Sequence, residues 1–178
     1  ITGHENNVKE ICSIAHAENI KVFVDGAQAV SHKKIDVQDL DCDFYTFSGH
    51  KCYGPTGVGV LYGKKSCLIK MDPFMYGGNM INEVSFENSS WGEIPHKFEA
   101  GTANIAGVIG LGESIKYISS VGLKNIQERE ALLINKMWHH LKSIDEVIVY
   151  TNTMPTSPIF SFNLKNIHSY DAGSLLDE

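Results

Sequence analysis

No apolar run in this sequence approaches the roughly 20 residues that a membrane-spanning helix requires. The opening Ile-Thr-Gly-His-Glu-Asn lacks the charged-then-apolar order of a secretory leader. Positive charge is also short: Lys and Arg total 15 against 21 Asp and Glu, for a formal net charge of −6. That balance argues against nucleic acid or an anionic membrane as the main partner. Cysteine is sparse and irregular, at Cys12, Cys42, Cys52 and Cys67, with no C-x-x-C. Metal ligation and a disulfide framework are therefore not indicated, and free thiols in a reducing cytosol are expected. Internal repeats and low-complexity tracts are absent. So is an initial Met, and the last residues read as an unfinished helix, so a fragment of a longer protein is expected.

What remains is the composition of an ordinary globular chain: 178 residues, 43% apolar, 10% aromatic and 20% charged. Helical spacing of Val8, Ile11, Ile14 and Ala15 predicts a helix over 7–18. Strands are predicted over 21–24, 43–47 and 58–62, with a loop over 49–57 and a helix over 64–71. Residues 72–104 are rich in Gly, Asn, Ser and Pro and read as a long excursion with a hairpin, of the kind that is functional or interfacial. A small-residue helix over 105–121 stops at Gly122, and a second long helix follows over 123–143. Strands over 147–151 and 159–164 and a helix from 170 complete the chain. The shift in composition near Gly122 predicts a boundary between residues 1–121 and 122–178. The first part suits an α/β sheet whose strand ends carry a site.

Two of those strand ends are chemically loaded. Asp25 follows Val22-Phe-Val24, and Ser48-Gly-His50-Lys51 follows Asp43-Phe-Tyr-Thr-Phe47. A lysine amine forms a Schiff base with an aldehyde, and a carboxylate at a strand tip holds a pyridine nitrogen protonated. Together they are what pyridoxal 5′-phosphate needs. Taken singly, Asp25 reads equally as a turn cap and Lys51 as a surface lysine. The pair is the informative feature. A Lys51 beside a strand tip is expected to be partly desolvated, which favours imine chemistry.

Other motifs carry less. Gly54-Pro-Thr-Gly57-Val-Gly59 lacks G-x-G-x-x-G and leads into a strand, so it is no dinucleotide loop. Asp39-Leu-Asp41-Cys-Asp43 opens like a calcium loop but has neither its glycine nor its closing glutamate. His139 and His140 are adjacent on a helix and point in different directions, and H-E-x-x-H is absent. Cys52 reads as a small packed apolar residue rather than a nucleophile.

The wording of these segments resembles the class V aminotransferase family, and within it the cysteine desulfurase and selenocysteine lyase branch that supplies sulfur for iron–sulfur cluster assembly. The matching residues are Val24-Asp25-Gly-Ala-Gln28-Ala, Asp41-Cys-Asp43-Phe-Tyr, and Phe47-Ser48-Gly-His50-Lys51-Cys-Tyr-Gly-Pro-Thr-Gly-Val-Gly. Gly77-Gly-Asn-Met80-Ile81 and Phe98-Glu-Ala-Gly101-Thr102-Ala-Asn104 extend the match. The resemblance implies fold type I of the pyridoxal-phosphate transferases: part of the large mixed-sheet domain plus an incomplete small α+β C-terminal domain. It makes Lys51 the Schiff-base lysine and the base that moves the substrate α-proton. Asp25 would pair with the pyridine nitrogen and Gln28 with the phenolic oxygen. Ser48 and His50 would bind the phosphate. Thr102 would reach the cofactor phosphate of a neighbouring subunit, implying a homodimer with composite sites and the 74–101 excursion at the interface. The implied reaction takes L-cysteine or L-selenocysteine to alanine, leaving a persulfide on the enzyme for an acceptor protein in the cytoplasm.

The chain departs from the family pattern in ways that bear on activity. The persulfide cysteine, the ring-stacking histidine and the carboxylate-binding arginine match no residue here, so this chain alone is expected to be inactive. Ala103 stands where proline is usual, and Cys52 where an aliphatic residue is usual. Another class V transaminase or lyase, or a non-catalytic dimerisation module, are the competing readings.

Overall fold

The computed structural model describes residues 1–178. Helix α1 (Val8–Ala17) turns Val8 and the fully buried Cys12 inward, against a cluster that includes Cys42, Tyr45, Val22 and Val24. Ile11 and Ile14, counted with the helix's apolar positions in the sequence, lie on its outer face, 47% and 63% exposed. The stripe that packs is Val8–Cys12, an i, i+4 pair, and the two isoleucines project away from that contact.

Strand β1 (Phe23–Asp25) is followed by turns and by the short helix α2 (Val37–Leu40). Asp36 caps α2, its carboxylate accepting from the Gln38 and Asp39 N–H groups at 3.0 and 3.1 Å. The chain then enters β2 (Phe44–Ser48), parallel to β1, and returns antiparallel in β3 (Gly59–Gly63). The sheet order is β1-β2-β3. Short helix α3 (Lys65–Leu68) leads into the excursion, which holds an antiparallel hairpin of β4 (Ile81–Val84) and β5 (Ser89–Trp91). Helix α4 (Ile105–Val121) closes this part of the chain. Gly122, at φ +85°, breaks the helix there, a backbone angle that glycine adopts without strain.

Two compact units result. One is Val8–Ser120; the other combines Ile1–Asn7 with Val121–Glu178. The second unit holds α5 (Leu123–Lys142), an antiparallel pair of β6 (Val147–Val149) and β7 (Phe162–Leu164), and α6 (Ser169–Asp177). Its first seven residues are pinned by Gly3, whose carbonyl accepts from the Thr156 and Ser157 N–H groups at 2.9 and 3.0 Å. A side chain at Gly3 would lie 2.3 Å from the Ile159 carbonyl oxygen. No helix of the chain is long and apolar enough to cross a membrane.

The sheet of the first unit is tied together at its base by one carboxylate. Asp43, 1% exposed, accepts from the Val22 N–H at 2.9 Å, His16 Nε2 at 2.9 Å and Lys21 Nζ at 3.0 Å. Cys67 Sγ donates to it at 3.5 Å, and Lys64 Nζ stands 4.0 Å away. Burial alone raises a carboxyl group. Here the Val22 N–H and the His16, Lys21 and Cys67 side chains outweigh burial and hold Asp43 well below the usual carboxylate range. Replacing Asp43 with Ala strands these donors, and is expected to lower unfolding free energy by about 3 kcal/mol in urea at neutral pH. A depressed folded-state pKa stabilises the protein above the unfolded value near 4, and that stabilisation is lost as pH falls further. The Asp43→Ala variant should therefore lose less of its remaining stability than the parent between pH 5 and pH 3.

Candidate active site

Parallel pairing of Phe23 with Phe44, Val24 with Tyr45 and Asp25 with Thr46 sends β1 and β2 out at the same sheet edge. The Gly26 N–H extends the ladder to the Thr46 carbonyl at 2.9 Å. Asp25 is exposed at the tip of β1. One of its oxygens accepts from the Ala27 N–H at 3.0 Å, leaving the other to an outside donor. The turn-capping and ligand-pairing readings of Asp25 are thus compatible. Gly26 is forced by contact: a Cβ there would sit 1.9 Å from the Tyr45 ring. The chain winds back through a turn in which Ala29 N–H reaches the Gly26 carbonyl at 2.9 Å, and this turn holds Gln28 exposed beside Asp25 in sequence.

At the end of β2, Ser48 is half-buried and a 3₁₀ turn runs over Gly49–Lys51. The Gly49 carbonyl accepts from both the Cys52 and Gly54 N–H groups, at 2.9 and 3.0 Å, and the Gly49 N–H donates to the Val58 carbonyl at 2.8 Å. This winding buries Cys52 completely and turns His50 and Lys51 outward. Lys51 is therefore exposed in this structure, and the partial desolvation expected from its sequence position is not supplied by these residues. Burial pushes the Cys52 thiol up, as it does those of Cys12 and Cys42. All four cysteines are buried free thiols.

Helix α4 is the floor of this loop. Its buried stripe is Gly107, Leu111, Ser114 and Ile118. A side chain at Gly54 would meet Ser114 Oγ at 3.2 Å, and one at Gly110 would meet the Pro55 ring at the same distance. The Tyr53 and Tyr117 rings meet edge to face with centroids 6.2 Å apart. The small-residue character of the helix thus lets the loop backbone approach.

Asp25, Gln28, Ser48, His50 and Lys51 are gathered at one end of β1 and β2. Thr102 is not hydrogen-bonded to any of them. Its exposed segment is tied elsewhere: the Gly101 N–H donates to the Gly78 carbonyl at 2.8 Å, and Asn79 Nδ2 donates to the Gly101 carbonyl at 3.1 Å. Asn104, which has no role in the sequence-based expectations, bonds the Gly57 carbonyl at 3.0 Å. An Asn directly before an apolar-periodic helix is the signal that marks it. As a donor set, a hydroxyl, an imidazole and an ammonium beside a carboxylate fit a ligand that carries a phosphate, an aldehyde and a basic ring nitrogen.

Residues 1–178 match the family described as Aminotransferase class-V. The chain belongs to that family. A relative from Wigglesworthia glossinidia brevipalpis, named cysteine desulfurase, is 53% identical over 171 residues, 96% of this chain and 42% of the relative. The chain thus spans less than half the length of the curated relatives it matches. The crystal structure of the cysteine desulfurase CsdA from Escherichia coli superposes with a TM-score of 0.93 at 37% identity, over 99% of this chain and 44% of that one. C-DES, in a mutant with glycine covalently linked to its PLP cofactor, has a TM-score of 0.88 over 99% of this chain and 48% of its own. At 24% identity that likeness is one of fold. The α/β fold expected from the sequence, part of the fold type I architecture, is the one these structures share with this chain.

The contact of Gly26 with Tyr45 gives a direct test of how the tip of β1 is set. Gly26→Ala forces the Tyr45 ring aside and is expected to lose about 1–3 kcal/mol in chemical unfolding.

Proposed function

We propose that the protein containing this chain is a pyridoxal-phosphate-dependent cysteine desulfurase, converting L-cysteine to L-alanine with a persulfide left on the enzyme. The observation that carries this reading is the common sheet edge of Asp25 and Ser48-Gly-His50-Lys51. The 53% identity to a relative named cysteine desulfurase supports the choice of reaction.

When bound, the cofactor supplies an electron sink for charge developing at the substrate Cα. Lys51 supplies the amine that anchors it, and its Nζ moves the α-proton. Asp25, with one oxygen already engaged by Ala27, uses the other to hold a proton on the ring nitrogen. Gln28 donates to the phenolic oxygen, and Ser48 and His50 bind the phosphate.

None of the four cysteines is the sulfur acceptor in this reading. Three are wholly buried and Cys67 is 8% exposed, and an acceptor must meet the substrate as a thiolate. The acceptor cysteine is assigned to the rest of the protein, so residues 1–178 alone are inactive. We assign residues 1–121 to the large cofactor-binding domain and 122–178 to the small one, with Ile1–Asn7 packing in the compact unit of the latter. A homodimer is part of the proposal, with Thr102 reaching the neighbouring subunit's cofactor. Phe74 at 93% and Phe86 at full exposure give the excursion an apolar surface to bury there. The setting is cytoplasmic, the substrate L-cysteine or its analogue L-selenocysteine, and the sulfur passes to an acceptor protein that feeds iron–sulfur cluster assembly.

The test is borohydride reduction of the full-length protein with pyridoxal phosphate, followed by peptide mass mapping. A stable adduct on Lys51 is expected, and Lys51→Ala should lose both the adduct and at least about 10²-fold of alanine formation from L-cysteine. A full-length protein that forms no adduct at Lys51 overturns the proposal.

A further inference from the structure

The loop that follows Lys51 and the start of α4 are separated in sequence, and one side chain bonds to both at once. Asn104 Nδ2 donates to the Gly57 carbonyl at 3.0 Å, 47 residues away, while its Oδ1 accepts from the Gly107 N–H at 3.0 Å. The second bond caps the N-terminus of α4. The first has no part in capping and ties that helix start to the loop that follows Lys51.

The flanking glycines are shaped to this amide. A Cβ on Gly107 would lie 2.4 Å from Asn104 Nδ2 and 2.8 Å from its Cγ, so only glycine leaves room for the side chain. Gly57 is held at φ +75°, a conformation that favours glycine. Its neighbour Val58 supplies the carbonyl that takes the Gly49 N–H at 2.8 Å, and Gly49 opens the 3₁₀ turn that ends at Lys51. A continuous set of short bonds therefore runs from the start of α4 through Asn104, Gly57–Val58 and Gly49 to Lys51. On the other side Asn104 is two residues from Thr102, whose segment is fixed by Gly101 to Gly78.

We infer that Asn104 is a positioning residue for Lys51: its amide straps the lysine loop to the start of α4. The functional half of the inference rests on the desulfurase reading; the strap itself does not.

The experiment uses full-length protein and separates the strap from the cap. Asn104→Ser and Asn104→Asp keep an oxygen for the Gly107 N–H and lose the donor to Gly57; Asn104→Ala loses both. Gly107→Ala leaves residue 104 unchanged and displaces its side chain. In cofactor-free protein, Asn104→Ser and Asn104→Asp are expected to raise amide hydrogen exchange across 49–58 about fivefold, with a smaller fall in thermal midpoint than Asn104→Ala, which also loses the cap. Gly107→Ala should raise exchange there as well, with the thermal midpoint of a variant that has lost cap and strap together, and Asn104→Ser combined with Gly107→Ala should add no further increase in exchange. In cofactor-loaded protein, kcat for L-cysteine should fall about tenfold or more in these variants with KM little changed. Exchange at the parent rate in Asn104→Ser and Asn104→Asp overturns the strap. A kcat loss confined to Asn104→Ala and following its thermal midpoint overturns the positioning role and leaves only the cap. If the parent gives no Lys51 adduct, the desulfurase reading fails, and the exchange measurement alone decides the strap.

Discussion

The sheet of the first unit depends on the buried carboxylate of Asp43. Three strands meet at this residue. Its side chain takes the Val22 N–H, its N–H donates to the Val22 carbonyl at 3.0 Å, and its carbonyl accepts from the Lys64 N–H at 2.9 Å. Asp43 immediately precedes β2, so these bonds fix the starting register of β1 and β3 against it. A slip of one residue would exchange the faces of every side chain in the strand. The parallel register set at this end delivers Asp25 and Ser48 to the same edge at the other. A charge at the base of the sheet thereby controls the placement of polar groups at its top, without touching them.

At the top, the loop bearing Lys51 is not an independent turn. It is folded on itself around the Gly49 carbonyl and laid on a helix stripped of large side chains at Gly107, Gly110 and Ser114. Small residues are used here for close approach. The polar side chains are left facing outward while the backbone beneath them is packed and hydrogen-bonded, an arrangement that holds reactive groups on a rigid support.

Most of the elements were legible because their signals are local. Gly122 stops α4 at the residue that the sequence marks, Phe44-Tyr-Thr-Phe47 forms a strand, and the strand expected over 21–24 forms two residues later, at Phe23–Asp25. That Asp25 and Ser48 end their strands was legible in the sequence, and the parallel register brings those two strand ends to one sheet edge. The exposure of Lys51 was not, because it follows from how the Gly49 carbonyl collects two N–H groups, a detail of three-dimensional winding. The burial of Cys12 in place of Ile11 and Ile14 depends on which stripe of α1 meets the sheet, and hydrophobic periodicity alone leaves adjacent stripes open. Asp43 was legible as a family motif residue but not as a hub, since its partners His16, Lys21, Lys64 and Cys67 come from separate elements. Asn104 had a visible capping signal, and its bond to Gly57 across 47 residues had none.

The anchoring of Gly3 by Thr156 and Ser157 has a consequence for the order of folding. The hydroxyl bonds there span sequence separations of 153 and 154 residues. During synthesis the first seven residues emerge before their partners exist, whereas every strand of the β1-β2-β3 sheet is available once residue 63 has left the ribosome. The β1-β2-β3 pairing can form while residues 1–7 wait, and closing the second unit requires a contact of high sequence separation, the class of event that is slowest in chain folding. Of these two units, the discontinuous one therefore stays incomplete, and open to chaperones and proteases, until residues 156 and 157 have been made.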